Sequence, residues 1–312
     1  MLRRSTLSVA LTTAAIAIGL SGCATFTNAR EVAAVDGIDI STDRYQDYSQ
    51  VYFERADAFG TTAPSSGGVD AEQSRFLLAA MIRQQLFRNF VDERGIDVST
   101  TRDDFTTNVL RPSQLGELDL PDMFLDLIAD IDVQMVATSL EDAAAPTLDQ
   151  LRALYADDPT STGLVCVRHI LVATEGEADA VLDELADGGD FATLAEERSI
   201  DPSAAGSGGA IQSPDSPCIP LETVVQGFDP LFAAGLLDAQ EGTPTGPVES
   251  SRGWHVVLAR PWAEISDAVG DFHQPGASGK LLYDGYAATA PVDVNPRYGA
   301  WNALTASVDE LG

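Results

Sequence analysis

Three histidines and three cysteines carry most of the reactive chemistry open to this chain of 312 residues. His169 lies in the apolar run 164–172 and His255 in the apolar run 254–258, both of which read as strands. Taken singly, a histidine on an apolar strand is most often a satisfied core residue. His273 follows Pro261 in loop-like sequence and is expected at the surface. The cysteines, at 23, 166 and 218, form no Cys-x-x-Cys pair, so neither a zinc site nor a thioredoxin-like centre is indicated. No Asp-rich loop has the EF-hand spacing, and no metal or cofactor is expected. The 48 acidic residues, against 18 Lys and Arg, are spread among apolar positions and read as a solvated, self-repelling surface. Nucleic acid is excluded as a partner, because such binding rests on cations that neutralise phosphates.

These groups must be positioned by elements that the pattern makes legible. Residues 32–40, with Asp36-Gly37, read as a hairpin or strand leading into a helix capped by Ser41 or Thr42. Tyr45, Tyr48, Tyr52, Ala56 and Phe59 follow at helical steps, and 61–68 is a loop. Asp70 opens a long helix that Gly95 stops. Its apolar residues cover two faces, as in the centre of a helical bundle. Further helices are predicted at about 100–110, 121–140 and 147–156, the last with Thr147 and Gln150 as a capping box. A strand starts after Gly163. Thr174 and Glu177 cap the next helix, and another spans 190–198. The Gly- and Pro-rich stretch 199–227 is too long for a plain connector and reads as a binding loop. A short helix at 228–237, strands at Pro247-Val248 and 254–258, a strand near Val292 and a terminal helix at 301–311 complete the prediction.

Val167-Arg168-His169-Ile170-Leu171-Val172 resembles the first strand of the parvulins, and Glu175-Gly176-Glu177-Ala178 the start of their first helix. Gly189-Asp190-Phe191, Ser199-Ile200-Asp201-Pro202-Ser203, Gly208-Gly209 and Phe228-Asp229-Pro230-Leu231-Phe232 continue the pattern in order. Gly246-Pro247-Val248 and Gly253-Trp254-His255-Val256-Val257 close it, so the resemblance covers about a third of the chain. The flanking helical segments resemble, less specifically, the chaperone domain of SurA- and PrsA-type foldases, which is split around the isomerase module. The fold class implied is α+β: a parvulin domain with a small mixed, mainly antiparallel sheet, joined to an α-helical chaperone-like domain. The boundaries expected are a signal peptide at 1–22, a helical domain at 23–160, the parvulin-type domain at 161–262, and a segment at 263–312 returning to the helical domain.

The resemblance implies peptidyl-prolyl cis/trans isomerisation, and the physical task explains the grouping. Rotation about an amide costs roughly 18–20 kcal/mol because the C–N bond is partly double. At X-Pro bonds both isomers are populated and exchange slowly. A catalyst needs no cofactor, only an apolar seat for the ring and better stabilisation of the twisted amide than of the planar one. By resemblance, His169 and His255 form a buried imidazole pair beneath the cleft, with Ser250 or Ser251 hydrogen-bonded to it. Asp201 stands beside the susceptible bond, and Ile211, Phe228 and Phe232, the two phenylalanines one helical turn apart, make the proline pocket.

The sequence departs from that pattern after the double glycine, where Ala210-Ile211-Gln212 replaces the usual Asp-Leu-Gly and a longer stretch precedes Phe228. Arg252 stands where some relatives carry a hydroxyl residue. These departures keep open a competing reading, a holdase that binds unfolded chain without catalysis. Arg3, Arg4 and the apolar run 7–20 read as an export signal, and Leu20-Ser21-Gly22-Cys23 resembles the lipobox of bacterial lipoproteins. That resemblance implies lipidation of Cys23, membrane attachment outside the cytoplasmic membrane, and folding exported polypeptides with X-Pro bonds as partners. Cys166 and Cys218 then remain as a disulfide pair in an oxidising compartment.

Overall fold

The computed structural model describes residues 30–59, 70–211 and 217–311. The expected signal peptide, Cys23 and the loop at 61–68 lie outside the described residues. The chain starts with a hairpin, β1 (Glu31–Val35) and β2 (Ile38–Ser41), turned by Asp36 and Gly37, both at positive φ. Positive φ at both central residues gives a turn whose twist matches that of the strands, and Asp-Gly suits it. Helix α1 (Thr42–Glu54) is capped by Ser41. Helix α2 (Ala71–Arg94) runs from the Asp70 cap to Gly95, which is left-handed at φ 64°. Its buried residues include Leu78, Met81, Ile82, Phe87 and Phe90, which place it at the centre of the helical body.

Helix α3 (Ser99–Phe105) passes into a π-type turn at Thr106–Leu110. The single helix expected at 121–140 is two, α4 (Asp122–Ile131) and α5 (Val133–Leu140). Asp132 between them is extended and caps the second by accepting from the amides of Gln134 and Met135, an alternative to helix that short polar side chains offer. Asp130, fully buried, accepts from Arg88 Nε at 2.8 Å, Arg102 Nε at 2.7 Å and Gln84 Nε2 at 3.1 Å. A buried carboxylate is tolerated with such partners and is costly without them. Helix α6 (Leu148–Asp157) carries the Thr147/Gln150 capping box. A 3-10 turn at Pro159–Thr162 then leads to Gly163.

Beyond Gly163 lie β3 (Leu164–Val165), β4 (Val167–Val172), α7 (Glu175–Ala186), α8 (Phe191–Arg198) and α9 (Pro202–Ala205). They are followed by β5 (Ile219–Pro220), α10 (Leu221–Gly227), α11 (Pro230–Leu237), β6 (Pro244–Ser250) and β7 (Gly253–Ala259). The stretch 199–227, expected as a loop, thus contains two short helices and a strand. Antiparallel pairing gives the order β4-β7-β6, with a bulge in β6 between Thr245 and Val248. One face of this sheet packs Val167, Val257 and Ala259 against Val224, Phe232 and Leu236 of α10 and α11. The other packs Ile170, Val172 and Val256 against Ala178, Val181, Phe191 and Leu194 of α7 and α8. β3 pairs with β5, and a disulfide joins Cys166 to Cys218 directly beside that pair.

The C-terminal segment comprises α12 (Trp262–Phe272), α13 (Ser278–Thr289), β8 (Val292–Val294), β9 (Ala300–Asn302) and β10 (Ser307–Asp309). Ile265, Val269, Leu282 and Val308 join the same buried cluster as Leu77, Phe87 and Tyr155, and β8 pairs with β1. The terminal helix expected at 301–311 is instead the hairpin β9–β10. Asn302 Oδ1 accepts from the amides of Leu304 and Thr305, and Ala306 sits at φ 48°, so the chain turns where a helix would have to continue. His273, expected at the surface, is buried at 4% exposure. Its Nε2 lies 3.0 Å from the Thr162 carbonyl, and α12 carries it inward.

Candidate active site

Alternation along two adjacent strands brings the histidines together. His169 pairs in register with Val257, and His255 with Leu171, so the two imidazoles are diagonal neighbours on the face that α11 covers. Their Nδ1 atoms lie 3.2 Å apart with the rings 16° from parallel. Both residues are 3% exposed. Ser250, at the end of β6, places Oγ 2.8 Å from His255 Nε2. Across the pair, Asp201 Oδ2 lies 3.5 Å from His169 Nε2.

These contacts restrict the tautomers. A contact between two Nδ1 atoms requires one N–H and one lone pair, so the neutral rings must be opposite tautomers. The Asp201 carboxylate favours the proton on His169 Nε2. In that arrangement His169 Nδ1 accepts from His255 Nδ1–H and His255 Nε2 accepts from the Ser250 hydroxyl; in the opposite one His255 Nε2–H donates to Ser250 Oγ, whose hydroxyl donates to the Gly253 carbonyl at 3.2 Å. Burial lowers the basicity of His169, opposed by the nearby charge of Asp201. Burial and then His169 push His255 down to about 4, so the pair is neutral at physiological pH. Asp201 is pulled up by burial, but the Ser203 hydroxyl and amide and His169 outweigh this and leave it below its ordinary value.

The pocket above the pair is aromatic. Phe232 stacks on His255 with ring centres 4.0 Å apart, and Phe228 meets Phe232 edge-on at 5.9 Å. Phe228 precedes α11 and is not one turn within it, because Asp229 caps that helix and Pro230 is its first residue. Ile211 lines the same cleft of about 500 Å³, together with Leu171, Ser203, Gly227, Asp229, Ser250, Ser251 and Arg252. Asp201 caps α9, its Oδ1 accepting from the Ser203 amide and hydroxyl, which holds the carboxylate at the rim. Gly209, at φ 95°, passes so close to β4 that a Cβ would lie 3.0 Å from the His169 carbonyl oxygen, and its own oxygen accepts from His169 N–H at 2.8 Å.

Of the two serines, only Ser250 reaches the histidines. The backbone N–H of Ser251 donates instead to Asp229 Oδ2 at 3.1 Å. Sequence reasoning does not single out Asp229, whose Oδ1 also accepts from the amides of Leu231 and Phe232. It ties the helix that carries the pocket wall to the turn that carries Ser250. An Asp followed by Pro is a legible helix start, but the second tie crosses 22 residues and leaves no local signal.

Residues 169–260 match the rotamase family of PPIC-type PPIase domains. The foldase protein PrsA of Clostridium kluyveri is 37% identical over 106 residues, which are 34% of this chain and 28% of that protein. The chain thus matches less than a third of that relative's length. PrsA of Caldanaerobacter subterraneus subsp. tengcongensis is 23% identical over 269 residues, covering 82% of this chain and 83% of its own. Among solved structures, PrsA from Bacillus subtilis aligns at 15% identity over 83% of this chain and 92% of its own, with a TM-score of 0.28. Residues 169–260 therefore form a parvulin-type peptidyl-prolyl isomerase domain, set in a chain laid out like the PrsA foldases.

Proposed function

We propose that this chain accelerates cis/trans isomerisation of X-Pro bonds in folding exported polypeptides, held outside the cytoplasmic membrane by lipid on Cys23. The observation that carries the catalytic part is the neutral His169–His255 pair stacked beneath Phe232, with the Asp201 carboxylate at the rim. The planar amide owes its rigidity to a charge-separated resonance form, negative on oxygen and positive on nitrogen. Twisting removes that separation. An apolar seat for the ring, formed by Phe228, Phe232 and Ile211, disfavours the separated form. A carboxylate beside the carbonyl oxygen disfavours it further, so the twisted amide is stabilised relative to the planar one. No proton needs to reach the substrate; the imidazoles support the pocket and keep its floor uncharged.

A protease-coupled assay on short X-Pro peptides tests this reading, and a folded protein that accelerates none of them overturns it. The Ala210-Ile211-Gln212 departure favours a second reading, a holdase. That protein would suppress aggregation of unfolded chains while leaving isomer exchange unchanged. The export signal and the Leu20-Ser21-Gly22-Cys23 segment support the anchor, since two acyl chains give stable attachment. Mature protein is expected to start at a lipidated Cys23, and Cys23→Ala to release it from membranes. An unmodified N-terminus elsewhere, found by mass spectrometry, overturns the anchor.

A further inference from the structure

The carboxylates that line the prolyl cleft are already engaged by the chain's own donors. Asp201 accepts from Ser203 on one oxygen and faces His169 with the other. Asp229 accepts from Leu231 and Phe232 on one oxygen and from Ser251 on the other. Arg252 is the remaining charged residue of the cleft, exposed at the β6–β7 turn. Its backbone is fixed, N–H to Ser250 Oγ at 3.1 Å, while no carboxylate among the described residues forms an ion pair with its guanidinium. Elsewhere in the domain Arg168, Arg198 and Arg260 each have such a partner.

We propose that Arg252 makes this cleft select X-Pro segments with a carboxylate side chain immediately before or after the proline. The inference rests on the isomerase reading and names its substrate class. A chain of net charge −30 repels acidic segments at long range, so a preference for them needs a local cation at the reacting bond. Arg252 lines the cleft at the end of the imidazole pair away from Asp201, where its charge and that of Asp229 both act on His255. Arg252 is thus the cation of the Ser250 end, beside the Asp229 carboxylate that the Ser251 amide holds, while Asp201 stands at the other end. Guanidinium also suits carboxylate geometrically, with paired donors in a planar fork.

The experiment compares peptides carrying Glu, Gln or Lys directly before or after proline, reading kcat/KM for wild type and Arg252→Glu. At one of the two positions wild type is expected to favour Glu over Gln by about three-fold, the scale of a solvent-exposed ion pair. The preference should shrink as salt rises. In Arg252→Glu it should invert, with Lys favoured. A wild type indifferent to charge at both positions overturns the proposal, as does a Glu preference that survives in Arg252→Glu. If wild type turns over no peptide, the isomerase reading fails. The affinities of the same peptides, followed through the His255 ring resonances, then decide the role of Arg252 by the same criteria.

Discussion

At the scale of residues, the candidate site keeps two imidazoles uncharged. His255 titrates near 4 in the folded chain because of burial and then His169, and burial also lowers His169. In an unfolded chain each would bind a proton near pH 6.5. Above that pH neither state is protonated and the pair contributes nothing to pH dependence. Below it the unfolded state binds more protons, so stability falls between about 6.5 and about 4. For His255 alone the loss is on the order of 3 kcal/mol over that window. Denaturant unfolding at a series of pH values should show this slope, and NMR titration should find the His255 ring neutral down to about pH 5. A ring titrating at an ordinary value would break the argument. Asp201→Asn should keep the α9 cap, because the amide oxygen still accepts from Ser203, while removing the rim charge. Turnover should fall by more than stability does, each ten-fold being about 1.4 kcal/mol of barrier. The sequence made both histidines and Asp201 visible only together, through an ordered pattern of neighbours. It did not separate Ser250 from Ser251, since which serine reaches His255 is decided by the close of the β6–β7 turn.

At the scale of elements, signals that lie within a few residues of chain are legible in the sequence. The Asp36-Gly37 turn, the Thr147/Gln150 and Thr174/Glu177 boxes and the Gly95 stop all appear in the fold. Periodicity alone misleads in two segments. Residues 121–140 keep an apolar stripe across Asp132, but its side chain captures two amides and starts a new helix. Residues 301–311 contain enough apolar spacing for a helix, yet Asn302 turns the chain and Val308 is buried in a hairpin. His273 looks superficial because the chain after Pro261 reads as loop, yet Trp262, Ile265 and Val269 fall at helical steps, and α12 ends where His273 meets Thr162. The Cys166–Cys218 bond, spanning 52 residues, fastens the start of the isomerase segment to the stretch leading into α10. Closing a loop of that length stabilises by about 4 kcal/mol in the chain-entropy model. Cys218→Ser should therefore lower the unfolding midpoint markedly. In denatured, unreduced protein both thiols should resist alkylation, and two free thiols there would contradict the bond.

At the scale of the molecule, the isomerase segment leaves and re-enters one helical body, and two glycines set how closely the junction packs. Gly163 ends the turn that leads into β3, and a Cβ on it would meet the Leu281 backbone of α13. Gly285, one turn along α13, faces Ser161 and Gly163 so closely that a Cβ would lie 2.3 Å from the Ser161 oxygen. Backbone thus meets backbone, and neither side has a side chain that can yield. Tyr283 on the same helix packs edge-on against Phe87 and Phe90 of α2, so α13 cannot move away without opening the central core. Gly285→Ala should therefore destabilise by about 1–3 kcal/mol through overpacking, although alanine is the better helix former. Gly176→Ala, in the first turn of α7 with open space around it, isolates the loss of unfolded-chain freedom and should stabilise by roughly 0.4–1 kcal/mol. Opposite signs in a denaturant titration would locate the rigid junction between the turn at Pro159–Thr162 and α13. Equal, mildly stabilising shifts would mean that α13 and the turn can separate, and the isomerase segment would then be tethered to the helical body more loosely than its glycines indicate.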